Sequence, residues 1–206
     1  VTLRSALLHP LAKPLVFVLC LLPLAWLVWG AATDQLGANP AEALIRGLGD
    51  WTLRFLCLAL AVTPLRLHTR TPQLARYRRM LGLFVFFYAC LHLLAYGWLD
   101  MGLQVADIGR DILKRPFILV GFACWLLLLP LALTSTNRAV RALGGRAWQT
   151  LHRLVYLVAG LALLHFFWMR SGKNDYAEVA LYAAIIGVLL LERLFRYLKP
   201  RGVASR

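Results

Sequence analysis

The chain has 206 residues, 61% of them hydrophobic, and a mean hydropathy of +0.68; soluble domains carry roughly 45–50% apolar residues, so a soluble globular domain is excluded. The apolar residues gather into blocks near bilayer-spanning length, each bounded by charge, which is the pattern of an integral membrane protein. A net charge of +14 would point to nucleic acid in a soluble chain, but the cations sit in short connections between the blocks and not on an aromatic-studded face. No nucleic acid is expected as a partner; membrane lipid is.

Six spans follow in chain order, near 15–30, 51–65, 80–99, 116–134, 147–169 and 176–198. They predict an all-α bundle of six transmembrane helices forming one domain over 1–206. The first block follows Arg4 and Lys13 and precedes Gly30-Ala31-Ala32, which also describes a cleavable signal peptide. Its length and its two tryptophans favour a retained span. The second block is short against the roughly 20 residues of a perpendicular span. It starts earlier, within 41–48, or lies beside a thinned bilayer.

The charges set orientation. One side carries the N-terminus, the 66–79 loop, the 134–153 connection and the C-terminal tail. It holds 16 of the 23 lysines and arginines, opposed only by Glu192. The other side holds seven basic residues and eight of the nine acids. Positive-inside counting therefore places both termini on the cytoplasmic side. Trp29, Trp51, Trp98 and Trp168 then fall near the outer interface. The longest connections, 31–50 and 100–115, lie on the outer side.

The four cysteines, Cys20, Cys57, Cys90 and Cys124, each stand alone in an apolar block. No CxxC or CxxCH occurs, so zinc-ribbon, thioredoxin-like and covalent c-type haem readings have no support. No GxGxxG follows a strand pattern either. Electrons drawn from NAD(P)H must therefore be handed in by another protein.

Five histidines remain. His9 and His68 lie in polar connections, whereas His92, His152 and His165 interrupt apolar helices, where an ionisable group is costly and normally faces a partner, a cavity or a cofactor. His92 lies 12 residues beyond Met80, about 18 Å along a helix, and His165 falls in the corresponding half of a parallel span. The two imidazoles are expected at one depth, which suits axial ligation of a haem iron. Phe86, Phe87, Tyr88, Leu91, Phe166 and Trp168 are candidates to pack the macrocycle. His152 lies about 20 Å lower on the helix of His165, and 13 residues turn the two about 220° apart. Both can face one neighbour only through tilt or an irregularity, with Gly160 the candidate. A proton-relay transporter would want an acid or lysine at mid-membrane depth, and none is present. A haem-free transporter or scaffold using the histidines structurally is the competing class.

The stretches RRMLGLFVFFYACLHLLAY (78–96), DILKRPFILVGF (111–122), LPLALTST (129–136) and LHRLVYLVAGLALLHFFW (151–168), with LAVTPLR (60–66), resemble the MsrQ family, formerly YedZ. These are haem-binding membrane subunits of bacterial protein-methionine-sulfoxide reductase systems, within the wider ferric reductase-like transmembrane group. The resemblance implies b-type haem, one or two, on His92, His152 and His165. It also implies an associated FMN, a donor that is either the quinone pool or a cytoplasmic flavin reductase, and a periplasmic molybdopterin methionine sulfoxide reductase as acceptor. Sulfoxide reduction itself would occur on that partner. A ferric or other reductase membrane component of the same fold is the nearest alternative. The wider group carries two histidines on each ligand helix, but here the inner position of the third span holds Arg78 and Arg79. His152 thus has no evident opposite imidazole, unless His68 supplies it. Alternatively His152 touches FMN or quinone, while Arg78, Arg79 and Arg153 meet propionates or phosphate.

Overall fold

The computed structural model describes residues 3–172 and 174–198, with side chains from residue 6 onward. The side chains of Arg4, Lys173, Lys199, Arg201 and Arg206, all part of the charge count above, lie outside that set. Every regular element among the described residues is helical. Among the described residues five helices are long and apolar enough to cross a membrane, and the protein is a multi-pass membrane protein.

A short helix α1 (Leu3–Leu8) leads into α2 (Ala12–Ala32). Along α2, Leu15, Leu19, Leu22, Trp26 and Trp29 form an outward stripe that is half or more exposed. In water such a stripe would cost about 25 cal/mol per Å² of apolar surface. Hydrocarbon removes that cost.

Helix α3 (Pro40–His68) begins well before the apolar block at 51. Asn39 accepts from the Glu42 amide at 3.1 Å, and Pro40 takes the first helical position, where its missing N–H costs nothing. At 29 residues the helix is about 43 Å long, so the second span needs no thinned bilayer. Helix α4 (Ala75–Ala95) follows a short turn and ends in a π-helical turn at Tyr96–Asp100. Helices α3 and α4 pack most extensively, and their side chains Leu56, Leu60, Val85 and Tyr88 are fully buried.

Tyr88 shows how that core is fastened. Its hydroxyl donates to the Cys20 carbonyl at 2.8 Å and accepts from the Leu24 amide at 3.1 Å. These are the two backbone groups that would otherwise bond each other one turn apart, beside Pro23. The phenol is inserted into the ladder of α2 and staples it to α4. Tyr88→Phe is expected to cost about 0.5–1.5 kcal/mol, the net loss of hydrogen bonding between α2 and α4, since the two backbone groups can then bond each other. A thermal unfolding midpoint equal to wild type in detergent would contradict the staple.

Beyond Gly102, helix α5 (Val105–Lys114) lies along the 100–115 connection and abuts α6 (Pro116–Leu133). Two short helices, α7 (Asn137–Leu143) and α8 (Gly145–His152), form the opposite end. Gly144, at φ +74°, turns the chain between them. Helix α9 (Leu154–Ser171) packs on α6. The irregularity expected at Gly160 lies instead at Arg153, where α8 stops and α9 starts; Gly160 sits in unbroken helix. A tight turn at Arg153 thus interrupts the helix between His152 and His165, so the roughly 220° of an ideal helix is not kept.

The sixth expected span is helix α10 (Ala177–Leu198), packed on α9 and α3. Glu178, Glu192, Arg193 and Arg196 leave no 18-residue stretch of it with fewer than three charges, so composition alone does not mark it as crossing. Arg193 turns inward, donating to the Leu60 carbonyl at 2.6 Å and to the Tyr156 hydroxyl at 2.9 Å.

Candidate functional site

Two cavities lie one above the other along the bundle and share a wall of Leu56, Val85 and Leu128. The larger, about 520 Å³, occupies the α5 end and is lined by both His92 and His165. The smaller, about 290 Å³, occupies the α7–α8 end and is lined by Arg66, Arg78, Arg79, Trp148 and His152.

In the larger cavity the His92 and His165 rings face each other with centroids 6.2 Å apart and planes inclined by 74°. Each is fixed by the same device. His92 Nδ1 lies 2.9 Å from the Ile45 carbonyl oxygen, and His165 Nδ1 lies 2.6 Å from that of Phe117. A carbonyl oxygen only accepts, so each Nδ1 carries the hydrogen and each Nε2 keeps its lone pair. Both imidazoles are thereby held as neutral Nε2 donors, the form a metal needs.

The carbonyls are reachable for a reason written four residues further on. A helical side chain leans back over the preceding turn and covers the carbonyl of residue i−4. Four residues after Ile45 stands Gly49, and four residues after Phe117 stands Gly121. A Cβ at Gly49 would lie 3.1 Å from His92 Cε1, and one at Gly121 would lie 2.8 Å from His165 Cε1. Each glycine is the gap through which an imidazole reaches its carbonyl. Sequence reasoning missed both glycines and both carbonyls. The signal available was a glycine inside a span, which alone is unspecific.

The rim of this cavity is charged. Arg46 pairs with Glu42 at 2.7 Å, and Arg170 is held by Glu178, by Asp175 at 3.2 Å and by Asp50 at 3.8 Å. Arg115 pairs with Asp111, whose carboxyl also accepts from the Tyr96 hydroxyl at 2.6 Å. The Arg115 guanidinium holds the Asp111 carboxyl below the usual carboxylate range, and the Tyr96 hydroxyl acts in the same direction. Because the folded value is depressed, this stabilisation is complete above about pH 4 and is lost as pH falls through the lower folded value. Asp111→Asn should remove that acid limb from a plot of thermal midpoint against pH. An acid limb identical to wild type would count against it.

The remaining candidates lie elsewhere. His152 stacks on Trp148 with centroids 3.9 Å apart, and its Nε2 is 3.1 Å from Thr134 Oγ1. Thr134 donates its own hydrogen to the Pro130 carbonyl at 2.6 Å, so His152 Nε2 is the donor between them. Arg78 and Arg79 line the same cavity, with Arg79 also donating to Asn137 at 2.6 Å. Arg153 is exposed at the α8–α9 break and lines neither cavity. His68 is mostly exposed and lies 3.4 Å from Glu192, and His9 accepts from the Leu11 amide at 3.2 Å. Of the aromatic residues expected around a macrocycle, Phe166 lines the larger cavity. Tyr88 is the helix staple, and Phe87 and Trp168 are more than a third exposed.

Residues 47–163 match the family described as ferric reductase like transmembrane component. Relatives that carry the name protein-methionine-sulfoxide reductase heme-binding subunit MsrQ include the following three. The protein of Polaromonas naphthalenivorans is 66% identical over 93% of this chain and 87% of its own length. That of Herminiimonas arsenicoxydans is 52% identical over 90% and 85%, and that of Bordetella pertussis is 50% identical over 93% of each. No solved structure matches the chain.

Proposed function

The chain belongs to the MsrQ family, within the ferric reductase-like transmembrane components, and from that membership we propose that it is a haem-binding electron-transfer subunit of a methionine-sulfoxide reductase system. The observation that carries the reading is the pair of imidazoles 6.2 Å apart, each with Nδ1 tied to a carbonyl. Two imidazoles sharing one metal through bonds of about 2 Å have ring centres roughly 6 Å apart. The donor set therefore fits a b-type haem held by His92 and His165. Such a group, when bound, accepts and passes on one electron. The chain's own part is to fix both rings, exclude water with the packed walls of α3, α4, α6 and α9, and present the site toward one membrane face.

Orientation rests on the 16 to 7 distribution of lysine and arginine. With α10 as the sixth span, about 33 Å long, both termini are cytoplasmic in the bacterial inner membrane, and the histidine cavity opens toward the periplasm. Electrons enter from quinol or a cytoplasmic flavin reductase and leave to a periplasmic molybdopterin methionine sulfoxide reductase, where the sulfoxide is reduced. The inner cavity, edged by Arg66, Arg78 and Arg79, suits the phosphate of FMN better than a second bis-imidazole haem. His152 Nε2 is tied to Thr134, and among the described residues no imidazole lines that cavity with it.

A ferric reductase membrane component is the second reading, favoured by the description of the matching family. Reduction of a purified periplasmic sulfoxide reductase by the prereduced protein separates the two. For the haem itself, dithionite added to detergent-purified protein from haem-replete cells should give the α-band of a b-type cytochrome. A correctly folded but colourless protein would leave only a scaffold or transporter.

A further inference from the structure

The rim of the larger cavity contains a feature that imidazole ligation does not use. Arg46 and Arg115 both line this cavity, and in both the Nε is buried with no hydrogen-bond partner among the described residues. Their outer nitrogens are anchored, Arg46 Nη2 to Glu42 at 2.7 Å and Arg115 Nη2 to Asp111. A buried N–H without an acceptor costs about 1–3 kcal/mol. Two such groups in one cavity are a matched pair of donors for anionic oxygen. A guanidinium offers donors in a planar fork, so one already held by a structural carboxylate still presents its Nε to a second acceptor.

Their positions in the chain strengthen the case. Arg46 adjoins Ile45, whose carbonyl holds His92, and Arg115 is two residues before Phe117, whose carbonyl holds His165. The same two helix beginnings thus supply one histidine support and one cation each. Arg170, the third cation of the rim, is already surrounded by Asp50, Asp175 and Glu178. The acids Glu42, Asp50 and Asp100 also line the cavity, and Asp100 lies 3.8 Å from Arg115 Nη2, so the two unpartnered Nε groups are what the rim arginines offer to a further anion.

We propose that Arg46 and Arg115 form a two-armed clamp for the paired carboxylates of an iron porphyrin seated between His92 and His165, which rests on the haem reading above. The carboxylates then face the α5 end, away from Arg78 and Arg79 in the other cavity and from Arg153 at the helix break.

The test compares iron protoporphyrin with its dimethyl ester, which keeps the iron and ring but has no free carboxylates. Each is titrated by absorbance into haem-depleted full-length protein in detergent, as wild type and as the Arg46→Gln/Arg115→Gln variant. Wild type should prefer the free acid by about tenfold or more, the worth of a charged hydrogen bond. The double variant should bind both forms alike, and Arg46→Lys/Arg115→Lys should recover part of the preference. The reduction potential of the reconstituted double variant should also fall, because two positive charges beside the iron are removed. Equal binding of acid and ester by wild type would overturn the clamp while leaving the histidine pair standing. So would a preference that survives in the double variant. Binding of neither form by wild type would sink the haem reading itself, and the clamp with it.

Discussion

His92→Ala and His165→Ala are each expected to yield a folded protein that has lost its haem absorbance, while His152→Ala is expected to retain it. The first two imidazoles line one cavity and face each other across 6.2 Å, whereas His152 is in the other cavity, tied to Thr134 and stacked on Trp148. Loss of a mere supporting hydrogen bond around a metal site costs about 10–100-fold in affinity. Loss of an iron ligand itself should exceed that. Folding should survive, because Ile45 and Phe117 lie within helices α3 and α6 and keep their backbone partners when the ring is removed. The check is haem per chain measured with monodispersity for the three variants. Haem retained at wild-type stoichiometry in either His92→Ala or His165→Ala would dismiss the pairing.

Gly121→Ala is expected to weaken haem binding by about 10–100-fold, the range for disturbing a ligand's support. The added methyl would sit 2.8 Å from His165 Cε1 and 2.9 Å from its Nδ1, so the ring must leave the Phe117 carbonyl that fixes its tautomer. Gly49→Ala should do less, since the contacts with His92 there are 3.1 and 3.3 Å. Gly160→Ala, with nothing within 4 Å, should leave haem binding unchanged and gain helix stability of up to about 1 kcal/mol. That gain is common to all three substitutions, so only the imidazole contact distinguishes them. The readout is haem remaining after competition with an excess of haem-binding apoprotein. Three equal retentions would show that the glycines do not gate the histidines.

Much of this architecture was legible along the chain, because a bilayer turns helix placement into a problem of local composition. Apolar blocks of spanning length must be helices, since no unpaired backbone group is tolerated in hydrocarbon. The helices α2, α4 and α6 lie where hydropathy put them, and the expected 147–169 block covers most of α8 and α9 together. A histidine within such a block stands out for the same reason, so His92 and His165 were identifiable, and equal depth followed from residue counting at 1.5 Å per residue. Helix α3 was underestimated because Arg46, Asp50 and Arg54 interrupt its hydropathy, although Asn39-Pro40 is a local start signal.

Side-chain direction and the break at Arg153 were decided only in three dimensions. Helical phase from His152 to His165 departs from that of an ideal helix once a tight turn intervenes at Arg153, and no residue type marked that turn beforehand. The partners of the histidines are backbone carbonyls of Ile45 and Phe117, 47 and 48 residues distant, and a carbonyl has no letter in a sequence. Gly49 and Gly121 matter through the side chain they lack, and what an absent Cβ uncovers depends on which helix packs against it. Composition and period thus determined the helices and the depth of their ionisable groups, which are properties of one segment in one solvent. Packing between segments decided which rings meet, which nitrogen carries the proton and which arginines border the same cavity.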